Sequence, residues 1–280
     1  MRRMLIVASV VDPAGMNISQ HLRRLASFKE RDFPGCVACW MANISDVKVY
    51  LVHVESDIIY CEGVEKPFNP ELVVYASRHS SSVNIPALTV HVSGNWGNAD
   101  YGGSPRTISV AYPKYVKAAL RLLHVLREER SLDGFTVSQE QTHHGPTVNI
   151  PSMFIEIGSS RREWVNQLAG EIIADTILQL VENPPENCVN AVGFGGGHYA
   201  PKFTHININS SVGVGHIASK YHVPFLDRFL LSQAIEKTVG GVEMFILDWK
   251  GLKSEDRVKL INFARERGIK VVKAKDVKCS

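Results

Sequence analysis

The chain has 280 residues, 45% hydrophobic and 21% charged, an ordinary globular composition with enough apolar content for a large core. Its formal net charge of +3 excludes a protein that grips a long stretch of nucleic acid, so any such contact is local. The five cysteines are scattered, and neither a signal peptide nor a membrane span is legible, which fits a reducing cytoplasm.

Taken in chain order, residues 4–10 (MLIVASV) read as a buried first strand. A helix over 16–28 follows, with Ile18, Leu22 and Leu25 on one face. Strands are predicted at 47–54, 72–77, 88–93 and 107–112, rich in Val and Ile and bordered by Gly or Pro. The helix over 114–130 carries Val116, Leu120, Leu123 and Leu126 on its apolar side. Strands at 135–140 and 153–158 precede a helix over 161–182, striped by Trp164, Leu168, Ile172 and Leu180. Beyond them come a strand at 191–195, a helix at 225–238 and a strand at 242–248. A last helix, capped by Ser254 and stopped by Gly268, leads to a strand at 269–274.

This alternation predicts an α/β fold with a mixed, largely parallel sheet covered by helices on both faces. Residues 1–280 form one domain, or two packed lobes with a soft boundary at 183–187 (NPPEN). The lone Cys36-Val37-Ala38-Cys39 has no second ligand pair and reads as two half-buried thiols. Glu171 and Asp175, at i and i+4, read as a solvated acidic patch.

Histidines and acids gather in or just past the predicted strands. His79, His91, His143, His144, Glu156 and His198 are candidate metal ligands, and His143, His144, Glu156 and His198 are candidate catalytic groups. Neighbours on a strand face opposite ways, so His143 and His144 share a site only on a loop; Gly145-Pro146 favours the loop. HExxH is absent, so spacing alone does not establish a metal. No Gly-x-Ser-x-Gly elbow is present either.

Residues 193–205 read GFGGGHYAPKFTH. They lack the Gly-Lys-Ser/Thr of a P-loop, and the acidic partner of a dinucleotide fingerprint is missing, so no nucleotide cofactor is expected. Consecutive glycines let backbone amides approach a ligand, so Gly195, Gly196 and Gly197 are candidates for an oxyanion hole, with His198 at its lip and Lys202 near an anion.

The chain resembles the archaeal-type D-aminoacyl-tRNA deacylases, a family shared with plants. The matching runs include ASRHSS (76–81), PALTVHVSGNWG (86–97), THHGPT (142–147), PSMFIEIGSS (151–160), AGEIIA (169–174), GFGGGHYAPKFT (193–204) and DWKG (248–251). The resemblance implies hydrolysis of the ester between a D-amino acid and the 3′-terminal adenosine of tRNA. It also implies dependence on zinc and a fold like those of peptidyl-tRNA hydrolases and nucleoside phosphorylases. The expected partner is aminoacyl-tRNA, gripped at its acceptor end by a monomer, with no DNA and no membrane. Candidate substrate-binding residues are Asn95, Trp96, Gly195, Gly196, Gly197, Lys202 and Lys250, with Trp96 either stacked on the terminal adenine or packed in the core. The alternatives are a zinc-dependent amidase or aminopeptidase, and a non-catalytic protein that binds the acceptor end.

Overall fold

A computed structural model describes residues 2–279. Its strands are β1 Arg2–Ser9, β2 Lys29–Arg31, β3 Ala38–Ile44, β4 Val47–Val54, β5 Leu72–Ser80, β6 Ala87–His91, β7 Gly94–Asn95, β8 Thr107–Ile108, β9 Thr136–Gln139, β10 Ser152–Ser159, β11 Val189–Phe194, β12 Val212–Ala218, β13 Met244–Leu247 and β14 Lys270–Lys273. Its helices are α1 Pro13–Leu25, α2 Pro113–Glu129, α3 Arg161–Trp164, α4 Gln167–Glu182, α5 Pro201–Asn209, α6 Arg228–Glu236 and α7 Ser254–Glu266.

The large sheet has the order β2-β3-β4-β1-β5-β10-β6-β9. Its centre, β4-β1-β5-β10, is parallel, and the apolar run of β1 and the largely apolar β10 are buried there, as a sheet covered on both faces requires. β6 turns against β10, and β9 then runs parallel to β6. A second, parallel sheet of order β12-β11-β13-β14 starts just after the 183–187 loop. The expected mixed α/β architecture is therefore present, distributed over two sheets, with β7 and β8 forming a small pair of their own.

Local chemistry sets the helix ends. Asp12 caps α1, its Oδ1 accepting from Ala14 N at 2.8 Å and Gly15 N at 3.1 Å, and Pro13 supplies a helix-ready φ at the first position. Gly15 packs so close to β5 that a Cβ there would lie 2.7 Å from the Ala76 carbonyl oxygen. The predicted 161–182 helix is two helices, because Asn166 leaves helical geometry and caps α4 by accepting from Ala169 N at 3.0 Å. Ser254 is the first residue of α7 rather than its cap, which falls on Lys253; Gly268, at φ +68°, does follow the helix end. Of the predicted strand 107–112, only Thr107–Ile108 pairs as a strand, followed by single bridges at Val110 and Ala111.

Glu171 and Asp175 are not a solvated patch. Arg130 pairs with both, at 3.1 Å from Glu171 and also with the Asp175 carboxylate, so they tie α4 to the end of α2. Burial pushes both thiols of the Cys36–Cys39 run up, Cys39 to about 11, and neither joins a metal-binding group among the described residues. No helix among the described residues is long and apolar enough to cross a membrane.

Candidate active site

Opposed strand directions bring the polar runs together. His79 lies near the end of β5, Glu156 in the middle of β10, and His91 at the end of β6. Glu156 pairs in register with Ser77 on one side and Thr89 on the other, and Thr89 Oγ1 donates to its Oε2 at 3.2 Å. The chain leaving β9 contributes Glu140, whose amide donates to the Val90 carbonyl. It then bends so that His143 and His144 lie side by side, ring centroids 4.3 Å apart, with His144 at φ +45°. His198 arrives from the loop after β11, and a backbone bridge between Glu140 and Tyr199 joins the second sheet to the first.

The hub is Glu140, which is 1% exposed and which sequence reasoning did not single out. His79 Nδ1 lies 3.1 Å from its Oε1, while His198 Nε2 and His143 Nε2 lie 2.8 and 3.5 Å from its Oε2. These are ion-pair distances without aligned hydrogen bonds, so both carboxylate oxygens are buried and unsatisfied. The one hint in the sequence is its place at the end of a predicted strand, three residues before His143. Tyr199, whose hydroxyl lies 2.8 Å from His79 Nε2, was missed as well. His222, Gln141 and Arg78, all lining the cleft, were also missed.

Electrostatics divides the five imidazoles. Burial works against charge on His79 and His198, but the contact and charge of Glu140 outweigh it and hold both above the usual histidine range. Burial instead keeps His91 neutral, at about 4, and His144, at about 3; His143 is also depressed, by burial and then by His91. Burial and then the neighbouring Glu140 raise Glu156 to about 8.

The neutral trio has a fixed tautomer. Nδ1 of His91, His143 and His144 faces a backbone carbonyl, those of Val92, Gln141 and Gly145, at 3.3, 2.8 and 2.6 Å. A carbonyl only accepts, so each Nδ1 carries the proton and each Nε2 a lone pair. One ligand atom of each of these residues lies within 4.8 Å of the others, and His91 Nε2 is buried without a partner. His143 Nε2, lying 3.5 Å from Glu140 Oε2, sets a lone pair against a carboxylate. A cation resolves that repulsion, so the residues present fit a metal ion, in three groups that overlap through His91 and Glu140: His91, His143 and His144; His79, Glu140 and His198; and His91, Glu140 and Glu156.

The cluster opens into a cleft of about 650 Å³ lined by His79, His143, His144, Glu156, His198 and Asn95, among others. All six predicted metal candidates thus share one site. The predicted substrate-binding residues largely do not. Trp96 is 2% exposed and its Nε1 donates to the Ile217 carbonyl at 3.1 Å, so it packs in the core and offers no face to a base. The Gly195 amide is taken by the Ala218 carbonyl at 2.8 Å, which rules it out as an oxyanion donor. Gly196 and Gly197 are part of the turn into α5 and do not line the cleft. Lys202 pairs with Asp248, and exposed Lys250 also lies outside the lining. Asn95 does line the cleft, but its Nδ2 donates to the Gly102 and Ser104 carbonyls and holds that loop.

The sequence profile of a family described as D-aminoacyl-tRNA deacylase matches residues 66–272. A D-aminoacyl-tRNA deacylase of Thermococcus kodakarensis is 40% identical over 96% of this chain and 99% of its own length. One from Pyrococcus abyssi is 40% identical over the same shares. One from Methanococcoides burtonii is 35% identical over 98% of this chain and 57% of its own length. A crystal structure of a conserved protein of unknown function superposes with a TM-score of 0.92, at 32% identity, over 99% of this chain and 97% of that one.

Proposed function

Because the chain belongs to the D-aminoacyl-tRNA deacylase family, we propose that it hydrolyses the ester joining a D-amino acid to the 3′-terminal adenosine of tRNA, releasing both. The observation that carries the reading is a buried carboxylate, Glu140, set among five histidines in an open cleft. A binding module has no use for so costly an arrangement; ester hydrolysis needs a base, an acid and a place for developing negative charge.

The three Nε2 lone pairs of His91, His143 and His144 suit zinc as a three-histidine set. Zinc held there would supply Lewis acidity toward water and the ester carbonyl. The chain supplies the rest. The backbone carbonyls of Val92, Gln141 and Gly145 lock the three rings in the ligating tautomer. His198, with 41% of its side chain exposed and its proton favoured by Glu140, gives that proton to the leaving ribose oxygen. Glu140 takes the proton of the attacking water and returns it across 2.8 Å to the neutral His198, which restores the starting state. His79, set between Glu140, which favours its protonated form, and the Tyr199 hydroxyl, is placed to offer positive charge to the forming oxyanion.

The test is release of D-tyrosine from D-tyrosyl-tRNA, beside the L-ester, before and after chelation with zinc added back. Release from the D-ester alone, lost on chelation and restored by zinc, is expected. Release from neither ester would sink the reading.

A further inference from the structure

A pocket of about 530 Å³ opens off the catalytic cleft, and the mechanism above leaves it empty of any role. The two share a wall: Asn95, Asn98, Asp100, His143 and His222 line both. The far side of the pocket carries Phe225 and Arg106, over a floor that includes Trp96.

Phe225 is 75% exposed, yet it does not sit on a loose segment. It ends a short 3-10 turn, Val223–Phe225, whose flanking residues Val223 and Leu226 are buried in the core of the second sheet. Lys259 Nζ clamps the turn by donating to the Val223 and Pro224 carbonyls at 2.7 and 3.1 Å. A phenyl ring held out in water by a fixed turn is apolar surface that folding leaves uncovered. Arg106 is similarly set. Its Nη2 donates to Asp227 at 2.6 Å, which orients the guanidinium fork while 46% of the side chain stays exposed.

We propose that this pocket seats the 3′-terminal adenosine of tRNA, with adenine stacked on Phe225 and the nucleotide phosphate facing Arg106, so that the ester on the ribose reaches the histidine cluster. The proposal rests on the deacylase reading and gives that substrate its place. A pocket of this volume falls within the range of small-molecule sites, about 300–1,000 Å³. An aromatic ring and a guanidinium are the two groups that take unpaired bases and their backbone. Asn98 and Asp100, both exposed and both on the shared wall, offer an amide and a carboxylate where the ribose hydroxyls lie. Of the two sequence readings of Trp96, stacking or core packing, its burial leaves the second, and stacking passes to the exposed Phe225.

Kinetics on D-tyrosyl-tRNA with AMP as competitive inhibitor test this, using the full-length protein and its Phe225→Ala, Phe225→Trp and Arg106→Ala variants. Phe225→Ala is expected to raise both KM and the AMP inhibition constant about 10-fold with kcat little changed, and Phe225→Trp to restore both. Arg106→Ala should flatten the salt dependence of KM by about one unit of log–log slope. Unchanged KM and AMP inhibition in Phe225→Ala would overturn the proposal. If the wild type releases no D-tyrosine at all, the deacylase reading fails, and direct titration of AMP then decides the pocket. Binding weakened in Phe225→Ala keeps it; equal binding removes it.

Discussion

Glu140 Oε2 stands 2.8 Å from His198 Nε2, although one residue follows the edge strand of the large sheet and the other follows the central β11 of the second. The contact couples a fully buried carboxylate to a ring that is 41% exposed, which is the geometry of a proton path from interior to cleft mouth. Replacing His198 by Asn should therefore lower kcat by about 10²–10⁴-fold, the usual weight of a positioned acid or base. KM and bound metal should change little. Steady-state kinetics with metal analysis checks this, and a variant with normal kcat would remove His198 from the path.

His144 is expected to matter for metal rather than for proton transfer. Its Nδ1 is spent on the Gly145 carbonyl, so only Nε2 is available, and as a ligand. His144→Ala should copurify with less zinc and lose the rise in melting temperature that added zinc gives the wild type. Elemental analysis and thermal melts in chelated and zinc-loaded buffer provide the readout.

Acid should weaken the fold through histidines far from the cleft. His53 lies against Trp40 and the Ser19 hydroxyl, and burial, followed by Arg23, lowers it from 6.5 to about 4. The unfolded chain binds this proton near pH 6.5 and the folded chain only near pH 4. Its contribution is therefore intact above pH 6.5 and is lost as pH falls toward 4. Urea midpoints measured between pH 7 and 4 should fall, and His53→Gln should reduce the slope by up to one proton. An identical slope in both proteins would count against the buried neutral state.

The glycine run after β11 separates two roles that sequence alone merged. Gly195 has φ +106°, and a Cβ there would lie 2.9 Å from Asp248 Cβ, so Gly195→Ala should cost about 1–3 kcal/mol. Lys202→Ala removes only an exposed ion pair with Asp248 and should cost about 0–1 kcal/mol, with kcat/KM within twofold of wild type. Denaturant melts and initial rates of both variants distinguish turn geometry from anion binding.

What the sequence could disclose follows from period and contrast. Strands such as β1 and β10 were legible because MLIVASV and MFIEIGS are mostly apolar, whereas β2 and β3 of the same sheet were not foreseen. β12, VGVGHIA, escaped notice because glycines dilute its β signal, although every residue in it is buried. α5 escaped because Pro201 looked like a break, whereas it is the first residue of the helix, where its missing N–H costs nothing. The histidines were visible as residues that ordinary strands do not need. Glu140 was not, since an acid at a strand end is usually solvated, and only the packing of β9 beside β6 buries it. Trp96 was left open and Gly195 misassigned for a related reason: whether a ring or an amide is free depends on a partner more than 20 residues away, Ile217 for one and Ala218 for the other.

The most direct test of the account is the single-turnover rate of D-tyrosine release from D-tyrosyl-tRNA by the wild type and by Glu140→Gln, both zinc-loaded and both confirmed folded. Glutamine keeps the shape of the side chain but removes the charge that shifts His79 and His198 toward their protonated forms and the oxygen proposed to take the water's proton. The account predicts a loss of about 10²-fold or more, with tRNA binding unchanged. Equal rates in the two proteins would contradict it and place the chemistry away from Glu140.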